Sequence, residues 1–183
     1  MDNKKNKLRQ YTPFSHEEFY QRYYVHRVAA SAIVVSKDNK ILLVKEIRRG
    51  KYMWGLPGGI LERQESLIQG LLREVKEETN CDIEPFGFLG LTNWAGKSIF
   101  KDDPYNQSGF HIIMASRLVS GEPKPDGEEV FETGLFSTSE FESMQVHGSI
   151  LQMFNAIQEK KYIPLQSSKF ENDDTYRIVF SPF

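Results

Sequence analysis

One change of period constrains this chain more than any other feature. From Val28 to Ile47 the apolar residues come in two runs, VAASAIVV and ILLVKEI, separated by the turn residues KDNK. Small and β-branched residues in an unbroken run suit a strand covered on both faces, so the pair is predicted to form a hairpin. From Ser66 the period becomes helical. Leu67, Ile68, Leu71, Leu72 and Val75 repeat at helical spacing, and Ser66 with Gln69 three residues on is a capping box. Asn80 is the predicted stop, because asparagine is the residue after glycine that best tolerates a left-handed backbone. Between the two patterns, the proline and glycines of YMWGLPGGI predict a tight loop with exposed amides.

Further strands are predicted over residues 83–94, 110–119 and 130–136, with KDDPYNQSG and GEPKPDGEE as loops between them. Helical spacing resumes at Ser149 with Ile150, Leu151, Phe154 and Ile157. Strands, one central helix, more strands and a last helix make a mixed α/β order, not the strict alternation of a doubly wound parallel sheet. Residues 1–27 read as a polar arm followed by a short helix capped by Ser15 with Glu18. The main domain spans residues 28–161. Residues 162–183 form a tail in which YRIVF is either a strand or a segment that packs on the domain or a partner.

The 183 residues carry a net charge of −2, which provides no global positive field for nucleic acid or anionic lipid. A hydrophobic fraction of 39% is enough for a real core, yet no apolar run approaches the roughly 20 residues needed to span a bilayer. The opening MDNKKNKLRQ lacks the apolar segment of a secretory signal. Cys81 is the one cysteine and cannot pair within the chain. A cytoplasmic protein with no membrane partner is expected.

The helix over Leu67–Thr79 carries Glu74, Glu77 and Glu78 at i, i+3 and i+4, within an arc of about 100° beside the apolar face. Such acids repel one another by about 0.2–0.5 kcal/mol per pair when exposed, and they sit where the helix dipole disfavours negative charge. Arg73 offsets some of this repulsion. A solvated glutamate-rich face and a divalent-cation site both fit the spacing, and the spacing alone does not choose between them.

The preceding residues choose. Gly59 is followed after five residues by Glu65, then after seven by Arg73-Glu74-Val75, with Glu77 and Glu78 after one free position. This resembles the signature of the Nudix hydrolases, G-x5-E-x7-R-E-U-x-E-E-x-G-U, where U is bulky and apolar. Six matched positions at about 6% background each make a chance match about 10⁻⁷ per starting point. Asn80 stands where the signature has glycine, and Cys81 where it has an aliphatic residue. Neither change touches the acids.

The resemblance implies an α/β/α sandwich with a mixed central sheet over residues 28–161. It also implies Mg²⁺- or Mn²⁺-dependent cleavage of a pyrophosphate linkage in a nucleoside diphosphate joined to another group, by water attack on phosphorus. The partner would be a nucleotide-like small molecule (nucleotide sugar, ADP-ribose-like or NTP). By the same resemblance Glu77 and Glu78 hold metal, Glu74 holds metal or acts as base, and Arg73 and Glu65 brace the loop on the helix. The Gly58 carbonyl is a further candidate ligand. Among the acids of GEEVFETGLF, Glu129 best resembles the family's late glutamate, although a charged loop entering an edge strand reads equally well. Arg48, Arg49 and Lys51 are candidates for phosphate contacts or a solvated hairpin end. Trp94 is a candidate for stacking. His111 and His147 lack metal-ligand spacing and read as structural or surface residues. A homodimer is common among relatives. The alternative is a Nudix-like domain that binds a nucleotide or ADP-ribose without cleaving it, although such modules usually lack glutamates that are all present here.

Overall fold

The computed structural model describes residues 27–48, 50–94, 109–144, 146, 148–169 and 176–180. The helix expected after Ser15, Arg49 and His147 lie outside them. The predicted hairpin is present as β1 (Arg27–Val35) and β2 (Ile41–Arg48), with Val35 opposite Ile41. Its turn is closed by Ser36, whose N–H bonds the Lys40 carbonyl at 2.9 Å and whose hydroxyl accepts the Lys40 N–H at 3.1 Å.

The segment expected to be a loop is two strands, β3 (Lys51–Gly55) and β4 (Gly58–Ile60). β3 pairs with β2, and β4 pairs with β1 at Ala29–Ser31. The chain therefore changes partner strand at Leu56-Pro57. Proline has no N–H to leave unpaired at the change-over, and its carbonyl accepts the Ala32 N–H at 3.0 Å. Turn-forming residues dominate the local sequence, but strand pairing is decided by the neighbours that tertiary structure supplies.

Helix α1 occupies Leu67–Thr79 as expected, with both hydrogen bonds of the Ser66–Gln69 capping box formed and Asn80 left-handed at φ 61°. β5 (Asp82–Trp94), β6 (Gly109–Ser120) and β7 (Val130–Phe136) follow. A 3₁₀ turn (Thr138–Glu140) and the one-turn α2 (Phe141–Met144), neither expected from sequence, lead to α3 (Gly148–Gln158). Beyond Lys161, β8 (Ile163–Lys169) and β9 (Tyr176–Phe180) form an antiparallel pair, with YRIVF as the outer strand. β8 joins the sheet through Gly87–Pro164 and Phe88–Ile163.

The strand order is β3-β2-β1-β6-β5-β8-β9, with β4 added on β1 and β7 on β2. β1 runs parallel to β6, and the other strand pairs are antiparallel. Because successive strand residues face opposite sides, β1 feeds two cores. Ala30, Ala32 and Val34 meet Leu71 and Val75 of α1. Ile33 on the other face meets Ile150 and Phe154 of α3. The result is the expected sandwich, with a mixed sheet between helices. No helix among the described residues is long and apolar enough to cross a membrane.

The left-handed stop at Asn80 yields a direct test. Asn80→Gly should lie within about 0.5 kcal/mol of the parent, whereas Asn80→Val should destabilise by about 1–2 kcal/mol because its branched β-carbon resists this backbone. Urea unfolding of the three proteins measures both.

Candidate active site

Two glycines fasten the β4 strand to α1. Gly58 has φ +137°, and a Cβ there would lie 2.1 Å from the Ala30 carbonyl oxygen. Only glycine permits this approach of β4 to β1. Its N–H donates to Glu78 Oε2 at 2.7 Å. At Gly59 a Cβ would lie 2.5 Å from the Glu74 carboxyl carbon, so the absence of a side chain makes room for that acid. Gly70 plays the matching part on the helix: a Cβ there would come within 3.0 Å of both Glu65 Oε2 and Leu61 Cγ. The mid-helix glycine thus lets the segment between β4 and α1 lie close against the helix.

Arg73 ties this arrangement together. Its Nε donates to Glu65 Oε1 at 2.6 Å and its Nη2 to Glu65 Oε2 at 2.9 Å, a two-pronged pair. Its Nη1 reaches Glu74 at 2.9 Å and Glu77 at 3.0 Å, and Nη2 touches the Ile60 carbonyl at 3.3 Å. Glu65 also accepts the Glu62 N–H at 2.8 Å. The hydrogen bonds from Arg73, with that amide adding, hold the Glu65 carboxyl down at about 2. Arg73 is in turn raised, chiefly by Glu65, against the opposing effect of its partial burial.

The acids of α1 differ in environment. Glu77 is well exposed, with 58% of its side chain accessible, whereas Glu78 is buried at 8%. The spacing had put all three at the margin of the buried face; the β4 strand laid over the helix is what covers Glu78. Burial pushes the Glu78 carboxyl up to about 8, with repulsion from Glu46, Glu74 and Asp126 adding and the Gly58 amide opposing. Glu74 is also raised, first by burial, with Arg73 opposing and Glu77 and Glu129 adding. Three elements therefore bring acids near Glu74 or Glu78: α1, β2 with Glu46, and the loop before β7 with Asp126 and Glu129.

That loop is strapped to the end of α1. The Lys124 N–H bonds the Thr79 carbonyl at 2.9 Å, and Asn80 Nδ2 lies 3.4 Å from the Glu122 carbonyl. Asp126 Oδ1 accepts the N–H groups of Glu128 and Val130 at 2.9 and 3.0 Å, which fixes the turn into β7.

An acid-rich, all-oxygen donor set of this kind fits a hard divalent cation. Among the described residues, no three His, Cys, Asp or Glu side chains already converge on one point. Arg73 bonds Glu74 and Glu77, while Glu78 is turned to the Gly58 amide.

A NUDIX domain family model matches residues 25–154. The chain belongs to the Nudix family. Phosphatase NudJ of Escherichia coli K12 is 38% identical over 63 residues, which are 34% of this chain and 41% of NudJ. The chain thus spans about two fifths of the length of that curated relative. A NUDIX hydrolase from Nitrosomonas europaea matches 81% of this chain and all of its own, with a TM-score of 0.61 at 25% identity. The NUDIX domain of Shewanella oneidensis NrtR, solved with ADP ribose, matches 81% of this chain and 99% of its own, with a TM-score of 0.59 at 19% identity, and shows the shared fold.

The remaining candidates scatter more widely around the Nudix helix. Arg48 ends β2 opposite Lys51, which is exposed at the start of β3. Trp94 ends β5 opposite Gly109. Of the late acids, Glu132 is engaged by Lys45 at 2.6 Å on the β7–β2 pair. Glu46 and Asp126 were not singled out in the sequence. Asp126 shares the acidic loop GEPKPDGEE with Glu129, whereas Glu46, inside the apolar run ILLVKEI, carries no local signal.

The raised carboxyl of Glu78 sets a pH dependence. Unfolded, this group ionises near 4.5; folded, it holds its proton to about 8. Between these values the folded state binds the extra proton, so stability should fall as pH rises from about 4.5 to 8, by on the order of a few kcal/mol. In protein stripped of metal, Glu78→Gln should remove that slope and raise the melting temperature at pH 8. Thermal melts across this range provide the check.

Proposed function

We propose that the protein hydrolyses a pyrophosphate linkage in a nucleoside diphosphate joined to another group. Glu78 carries this reading: a buried carboxylate hemmed in by Glu46, Glu74 and Asp126 costs stability in the protein alone and gains from a cation. Glu74, Glu77 and Glu78 would hold Mg²⁺ or Mn²⁺, with the Gly58 carbonyl and Glu129 as further ligands. When bound, the cation neutralises phosphoryl oxygens and activates water for attack on phosphorus.

The chain's own residues then have distinct tasks. Glu65 and Arg73 hold β4 and α1 in register, so that the Gly58 loop and the helix acids meet the diphosphate together. Arg73 holds one oxygen of Glu74 and one of Glu77, and the second oxygen of each carboxylate would serve as ligand. Lys51, with Arg48 and Arg49, would bind the outer phosphates, and Trp94 would stack on the organic group. In the reaction, an oxygen–phosphorus bond forms to water, the bridging oxygen leaves with its phosphoryl group, and the water proton is passed to the solvent or the product phosphate. We further propose that the protein acts in the cytoplasm, as a homodimer.

Glu78→Gln should preserve the fold and lower turnover by a few orders of magnitude when metal-dependent phosphate release is followed over nucleotide sugars, dinucleotides and NTPs. Equal turnover in mutant and parent would sink the assignment. Tight nucleotide or ADP-ribose binding without a metal-dependent product would instead favour a sensor.

A further inference from the structure

The segment between β6 and β7 is held at both of its ends, first against α1 and then by Asp126. At the first end, a Cβ on Gly121 would lie 2.5 Å from the Asn80 carbonyl oxygen, so the chain passes close against the end of the helix. Three residues on, the Lys124 N–H bonds the Thr79 carbonyl at 2.9 Å. Pro123 and Pro125 stand on either side of that bond, each with its φ fixed by the ring.

The second end is a turn built on one carboxylate oxygen. Asp126 Oδ1 accepts the Glu128 N–H at 2.9 Å and the Val130 N–H at 3.0 Å. Aspartate and asparagine favour such turns because their side chains reach the backbone two residues on. The Gly127 N–H bonds the Val130 carbonyl at 3.2 Å and closes the turn. Val130 is buried and pairs with Glu46 beside the bulge in the β2–β7 ladder, so the far side of the turn is fixed to the sheet. Glu129 stands between the two amides that Asp126 holds. It is exposed, and its charge repels that of Glu74 on α1.

An exposed acid on a loop samples many directions, and ordering it when a ligand binds costs free energy. Fixing the backbone on both sides of Glu129 removes part of that cost beforehand. Asp126 does this with an oxygen and not with its charge, because both of its partners are backbone amides. We propose that Asp126 is a positioning residue: through the Glu128 and Val130 amides it holds Glu129 where that carboxylate completes the cation site on α1. This rests on the place of Glu129 as a further ligand in the hydrolysis proposed above.

The test uses the full chain with Mn²⁺ alone as the probe, free ion being followed by electron paramagnetic resonance, so that affinity is read without turnover. Asp126→Ala removes the acceptor and should weaken Mn²⁺ binding about tenfold. Asp126→Asn keeps the oxygen and sheds only an exposed, screened charge, so it should stay within about threefold of the parent. In a chain already carrying Glu129→Gln, adding Asp126→Ala should change the affinity by less than about twofold, because the two residues act as one unit. Melting temperatures check that each variant is folded. Asp126→Asn binding as weakly as Asp126→Ala would overturn the proposal and make Asp126 a ligand or a source of charge instead. Asp126→Ala binding as the parent does, or an undiminished effect in the Glu129→Gln chain, would overturn it as well. The two readings fail separately. Metal-dependent hydrolysis that is lost in Glu78→Gln, with Mn²⁺ affinity and turnover unchanged in Asp126→Ala, rejects the role of Asp126 alone. The expected pattern of Mn²⁺ affinities, in a parent that cleaves no diphosphate, upholds Asp126 and rejects the hydrolase.

Discussion

The contact between the Gly58 amide and Glu78 is the hinge of this structure. It joins β4, paired on β1, to the helix that covers the sheet, at 2.7 Å, with Glu78 itself buried. A hydrogen bond to a carboxylate in such a setting is stronger than one at the surface, and leaving either partner unpaired would be costly. The close approach requires glycine at 58 because the Ala30 carbonyl and Ser31 occupy the space of a side chain. Gly59 and Gly70 then let Glu74 and the Leu61–Glu65 segment close from either side.

Charge balance follows from that closure. Bringing β4 over α1 buries one acid and half-buries another, while Arg73 can neutralise only part of the set. Its bonds go to Glu65, Glu74 and Glu77, not to Glu78. The two sides of the box therefore differ. Toward Glu65 the charges are matched and the geometry is braced. Toward Glu78 negative charge accumulates from β2, α1 and the loop before β7. A braced side next to an acid-rich one suits a site that must accept a cation without losing its shape.

The sheet places a second environment next to the first. On the α1 side lie the acids; on the α3 side lies a cavity lined by Trp54, Met153, Thr92, His111 and Ser31. They meet at Gly58, where β4 pairs with β1.

The sequence by itself determined the local events. The capping box at Ser66, the left-handed stop at Asn80, the helix over Leu67–Thr79 and the β1–β2 hairpin rest on interactions between residues a few positions apart, which spacing and side-chain type report directly. The signature acids were legible for the same reason, being one helix and the loop before it. Tertiary structure decided what depends on distant partners. It turned YMWGLPGGI into two strands serving different neighbours, buried Glu78 while leaving Glu77 exposed, and brought Glu46 and Asp126 beside them. It also put His111, unremarkable in the sequence, against Ser31 some eighty residues away. Strand pairing and burial are set by the whole chain's packing, so no window of local sequence contains them.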